Sequence, residues 1–230
     1  MKYRYLNEVL LDWNSKEDIQ DNNIIKSSDI KKKIENEYFI YRVEDNRSKI
    51  HIYDDGSNSG WTEFNRYRDK VFINDEHVTL DDYGITNYRY DPGEYKISIG
   101  DIDRVTDCGA MFYDCPQLVS VPEFNTSNVR SMRCMFTNCY NLESVSLFNL
   151  KSVEDMFAMF EGCHHLRSVP LFDISPLINR VKAYSHPDDS LCSLSRDMFR
   201  RCFSLDQETR NAWESIYDFE NETLKVENIK

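Results

Sequence analysis

The chain has 230 residues, 40% of them hydrophobic, with 40 acidic against 28 basic side chains and a net charge of −12. That length accommodates one or two domains with real cores. The acidic balance argues against nucleic-acid binding, which needs clustered Lys and Arg, and no window approaches 18 consecutive apolar residues, so no membrane span is expected.

Residues 1–36 open with Tyr3, Tyr5, Leu6, Val9, Leu10, Leu11 and Trp13, then turn polar; Ser28 to Glu35 has the pattern of a short helix. Too few apolar residues are present for a separate core. The segment either packs its aromatic edge onto the next domain or is a docking extension that orders against a larger assembly. It has no apolar h-region or small-residue cleavage site, so export by the usual route is not expected.

Residues 37–101 change character. Tyr38–Val43, Lys49–Tyr53, Lys70–Ile73 and Tyr95–Ile99 are β-rich runs separated by Asp54-Asp55-Gly56, Asn74-Asp75 and Asp91-Pro92-Gly93. The last of these reads as a hairpin turn between Tyr88–Tyr90 and Tyr95–Ile99. Short strands at such spacing predict a small all-β sandwich, immunoglobulin-like in the loose sense.

From Val105 to Phe172 one pattern repeats three times with a period of 24 residues. Met111, Phe112, Cys115 and Leu118 return as Met135, Phe136, Cys139 and Leu142, then as Met159, Phe160, Cys163 and Leu166. Met198, Phe199, Cys202 and Leu205 form a partial fourth copy offset by 39 residues, which reads as one repeat carrying an insertion of 15. A fixed period in this range is the mark of a stacked repeat array. Within a unit, Val129, Met132, Met135, Phe136 and Cys139 have the spacing of one helical face, while Leu142-x-x-Val145-x-Leu147 alternates like a half-buried strand.

The insertion, about residues 175–195, is rich in proline and polar residues and reads as a loop at one edge of the array. A helix is predicted over about 206–219, with Asp206 as its cap and Ala212, Trp213, Ile216 and Tyr217 on one face; it would close the open end of the core. Residues 220–230 form a polar tail.

The cysteines at 115, 139, 163 and 202 share one repeat column, with Cys108 and Cys134 nearby, and read as small buried thiols. Cys163-His164-His165 is the nearest approach to a zinc pattern, but it lacks a C-x-x-C pair and reads more simply as a repeat Cys followed by two loop residues. None of the five histidines stands in a catalytic motif, and seven glycines leave little material for a phosphate loop. No enzyme, cofactor or metal is expected.

The run Asn128-Val129-x-x-Met132-x-x-Met135-Phe136-x-x-Cys139-x-x-Leu142-x-x-Val145, with its core standing four times as MFYDC, MFTNC, MFEGC and MFRRC, resembles the BspA-like leucine-rich-repeat family over about residues 102–205. The resemblance implies a curved solenoid used for attachment and protein binding, without catalytic residues. The expected fold class is therefore α+β. An all-β module at 37–101 would be followed by an α/β leucine-rich-repeat solenoid over 102–219, ending in a capping helix.

Binding is expected on exposed strand positions between the inward columns, namely Val119, Glu143 and Arg167 together with Ser120, Ser144 and Ser168, and on Tyr113 and Tyr140, since tyrosine is enriched at interfaces. An adhesin-type repeat without an export signal suggests a virion-associated fibre or decoration protein of a bacteriophage, assembled in the host cytoplasm. A cell-surface adhesin and an intracellular scaffold are the alternatives. The partners would be virion proteins or a host surface receptor, with self-association into a homo-oligomer left open.

Overall fold

The computed structural model describes residues 37–44, 47–53, 67–177, 179 and 196–225. The N-terminal extension, the tip of the insertion and the end of the tail lie outside the described residues.

Four strands build the first part of the chain: β1 (Phe39–Val43), β2 (Val71–Ile73), β3 (Glu76–His77) and β4 (Gly93–Ile99). Their β-branched and aromatic residues suit a half-buried pleat, and β4 alternates accordingly, burying Tyr95, Ile97 and Ile99. Asn74 and Asp75 both take positive φ, 50° and 67°, and join β2 to β3 as a two-residue hairpin loop. Those are the residue types that tolerate such a turn. The Asp91-Pro92-Gly93 turn does not make the hairpin expected of it. Strand β4 pairs with β1 and β2 instead, and Tyr90 bridges Ser48.

Two further strands, β5 (Leu118–Val121) and β6 (Ser144–Val145), come from the first and second repeats. They pair in parallel, Ser120 opposite Ser144 and Val121 opposite Val145. Strand β1 joins the two parts of the chain, lying antiparallel to both β4 and β5. The result is one mixed six-stranded sheet ordered β3-β2-β4-β1-β5-β6. Phe39 carries the core across the junction, its ring 5.2 Å from Phe112 and 6.1 Å from Phe124. Arg42 ties it from the polar side, its guanidinium 2.8 Å from Glu94 and 3.0 Å from Glu143.

This corrects the fold expected from the sequence. Where an immunoglobulin-like sandwich, a leucine-rich-repeat solenoid and a capping helix were expected, the described residues are mostly sheet and turn, with few helices and no solenoid among them. One sheet serves where a sandwich needs two, because β1 spends both of its edges on β4 and β5.

The first half of each repeat is built of turns, not helix. Two positions per unit, four residues apart, take positive φ: Ala110 and Asp114, Cys134 and Asn138, Ala158 and Gly162, Asp197 and Arg201. A left-handed residue every four positions ends any α-helix, since helical φ is negative throughout. The intervening N–H groups divide between two directions. Some close turns within the unit, as Met135 N–H donating to the Met132 carbonyl (3.2 Å); others donate to the next unit, as Phe112 to Met135 (2.9 Å), Phe136 to Met159 (2.9 Å) and Phe160 to Met198 (2.9 Å). The last of these keeps register across the insertion. Apolar spacing of 3, 3, 1 and 3 thus describes inward corners of stacked turns as well as a helical face.

At the far end, α1 (Gln207–Glu214) starts at Asp206, whose carboxylate accepts the Thr209 N–H at 2.7 Å. Trp213 packs edge-on against Phe172 and Phe199, at 5.5 and 5.1 Å. Polar groups of the third unit are taken up by the same helix. The Thr209 hydroxyl accepts the Val169 N–H and donates to the Arg167 carbonyl, both at 3.3 Å, and the Trp213 indole N–H donates to the Val169 carbonyl at 3.3 Å. A short hairpin, β7 (Tyr217–Asp218) and β8 (Thr223–Leu224), follows and buries Tyr217 against Phe199.

Candidate partner-binding face

Inside the repeats, the sixteen core positions from Met111 to Leu205 are all buried. Phe112, Phe136, Phe160 and Phe199 form a continuous stack, with centroids 5.5, 5.5 and 5.6 Å apart and ring planes within 8° of parallel. The thiol column beside them is bonded as well as packed. Cys139 donates to the Phe112 carbonyl at 2.9 Å, Cys163 to Phe136 at 3.0 Å and Cys202 to Phe160 at 3.0 Å, each reaching back one unit.

Burial pushes these thiols far up, Cys163 well above its ordinary range and Cys202 to about 12. Reactive cysteines are thiolates, and these stay neutral hydrogen-bond donors at any physiological pH. Cys134, half-buried, is also raised, chiefly by burial. Among the described residues no group of three or more His, Cys, Asp or Glu is placed to hold a metal ion.

One position after the column cysteine, the chain turns outward. Tyr140, His164 and Phe203 stand in register there, with rings 5.1 and 5.5 Å apart. Phe203 is 74% exposed and Tyr140 38%. Next along, His165 Nδ1 lies 3.1 Å from the Asn141 side-chain oxygen, and the His165 N–H donates to the Tyr140 carbonyl. Further along the second and third units, Leu147 and Leu171 are also exposed, at 57% and 48%. A monomer normally keeps such residues scattered, and a row of them points to a contact surface.

The positions expected to bind from sequence divide in two. Val119 and Ser120 are buried, at 6% each, on β5, which lies inside the sheet between β1 and β6; their expected exposure is corrected. The Ser120 hydroxyl has no hydrogen-bond partner among the described residues. Glu143 is half-exposed and held by Arg42. Ser144 sits in β6 and bridges Ser168, while Arg167 and Ser168 are exposed. Tyr113 is half-buried and Tyr140 joins the outer ring row. Phe203 was missed as a surface residue, and His164 was read only as a loop residue, not as part of a ring row. The signal was available, since the position after each column cysteine reads Pro116, Tyr140, His164 and Phe203.

Residues 90–188, under half of the chain, match the model of a family described as a Mycoplasma protein of unknown function, DUF285. That span is compatible with a BspA-like repeat region. A search of the curated proteins found no match, and neither did a search of the solved structures. No helix of the described residues is long and apolar enough to cross a membrane.

Proposed function

We propose that this chain is a non-enzymatic interaction protein of the BspA-like type, which binds another protein through the outer row Tyr140–His164–Phe203. The observation that carries this reading is the row itself, exposed Tyr140 and Phe203 in ring contact with half-buried His164, on a body whose thiols are buried and hydrogen-bonded. Aromatic residues at the surface supply most of the affinity in protein interfaces. The matching family is described as a Mycoplasma protein, which favours a bacterial protein over a phage one.

The test is binding of the labelled chain to intact host or neighbouring cells, compared with a Tyr140→Ser/Phe203→Ser variant. Saturable binding should fall at least about tenfold in the variant, the loss expected when an interface anchor is removed, while its thermal midpoint stays within about 2 °C of the parent, as for a surface change. Equal binding by the two chains would sink the proposal.

A further inference from the structure

Two exposed arginines flank the outer row in the sequence. Arg201 stands two residues before Phe203, and Arg167 three residues after His164; both are exposed. Five other arginines are paired: Arg42 with Glu94 and Glu143, Arg47 with Asp91, Arg104 with Asp101, Arg133 with Asp155, and Arg200 with Glu161, Asp197 and Glu222. Among the described residues, Arg167 and Arg201 have no ion-pair partner, although the chain carries twelve more acidic than basic groups.

Two carboxylates of the same region are held by other groups. Glu143 is held by Arg42, and Asp206 accepts the Thr209 N–H at the start of α1. Glu208, on α1, is exposed. The position of Arg201 adds a second observation. Its φ of 60° is a left-handed conformation in the column that carries Asp114, Asn138 and Gly162 in the other units. An arginine gains nothing there from local backbone preference, and Arg201 is exposed, not buried.

Resting on the interaction reading above, we propose that the partner is an acidic protein segment with an aromatic or apolar anchor, its carboxylates paired to Arg167 and Arg201 and its anchor laid on Phe203 and His164. Guanidinium groups bind carboxylates in a bidentate fork and stack on rings, so an arginine pair beside an aromatic row suits such a segment. Complementary charge would set which partners are accepted and how fast they arrive. A sulfated polysaccharide would also seek the arginines, but the ring surface, with Phe203 largely exposed, favours a protein side chain.

The experiment uses the full chain and fluorescence anisotropy with three probes: a short glutamate-rich peptide carrying one tryptophan, the same peptide with glutamine in place of glutamate, and heparin. The acidic peptide should bind saturably and weaken at least about tenfold on going from low to high salt. Arg167→Gln/Arg201→Gln should lose a similar factor, with folding unchanged because neither side chain is buried. Phe203→Ser should lose affinity for both peptides. If the arginine variant binds as the parent does, or heparin binds and the acidic peptide does not, the charge assignment fails while cell binding sensitive to Phe203→Ser would still uphold the interaction reading. If Phe203→Ser also leaves every interaction intact, both fail together.

Discussion

Two rows of rings run along the repeats at almost one spacing. The inner row is Phe112, Phe136, Phe160 and Phe199, with centroids 5.5 to 5.6 Å apart; the outer row is Tyr140, His164 and Phe203, at 5.1 and 5.5 Å. Backbone hydrogen bonds between units fix both spacings, since each links one residue to its equivalent's neighbour in the next copy. What differs is the environment. Inside, every copy has phenylalanine and the planes lie within 8° of parallel; outside, the residue changes in every copy and the planes tilt by 29° to 35°. Close packing permits one side chain at a buried position, whereas a solvated position is free to vary and so to be used for recognition.

The largest expected effect follows from breaking the inner row. Phe136→Ala removes a fully buried ring between two stacked neighbours and should destabilise the chain by about 3–5 kcal/mol, a transfer loss plus a cavity. Denaturant unfolding measures it; a loss under about 1 kcal/mol would mean that the ring stack is not the core. Second is Thr209→Val, which keeps the shape of the side chain and deletes its hydroxyl. The Val169 N–H would then be buried without its acceptor, at a cost of about 1–3 kcal/mol. An unchanged midpoint would show that water replaces the hydroxyl as acceptor of the Val169 N–H.

How far the sequence disclosed this arrangement depends on the range of each interaction. The repeat period, the inward Met, Phe and Cys columns, the β2–β3 turn at Asn74-Asp75 and the start of a helix at Asp206 were all readable, because each rests on residues close in sequence or on strict recurrence. The helical reading of the first half-unit failed for a local reason. The series Asp114, Asn138, Gly162 collects the residue types that accept left-handed φ, and that regularity outweighs apolar spacing shared by helices and stacked turns. The burial of Val119 and Ser120 was not readable, since it depends on β1 arriving from nearly eighty residues earlier in the chain. Polar residues at the equivalent positions Glu143 and Arg167 made the whole row look solvated.

The left-handed column provides the third prediction, which sharpens the contrast between rigid interior and free surface. At Gly162, φ is +75° and an added Cβ would lie 2.7 Å from the Asn138 side-chain oxygen. That oxygen ends a short flexible side chain and can shift, so Gly162→Ala should cost about 1–2 kcal/mol, mostly from the left-handed backbone. Arg201→Gly, in the same column, relieves that strain but frees the unfolded chain, so its net effect should stay within about 1 kcal/mol. Thermal unfolding of both variants is the measurement. Equal losses in the two would show that the column's conformation is set by tertiary contacts alone.

The smallest effect belongs to the exposed start of α1. Acceptance of the Thr209 N–H, first through the backbone bond, holds the Asp206 carboxyl below its ordinary value near 3.8. A depressed folded-state pKa means that the charged carboxylate stabilises the fold at pH values above the unfolded pKa. This contribution fades as pH falls below about 4 and is gone once the folded group is protonated. Asp206→Asn retains an acceptor oxygen for the Thr209 N–H but cannot titrate. Stability of the parent should therefore decline more steeply than that of the variant between pH 5 and the acid limit, with the two curves parallel above pH 6. If the curves stay parallel down to acid, the charge on Asp206 does not stabilise the helix start, and the packing of Trp213 on Phe172 and Phe199 owes nothing to it.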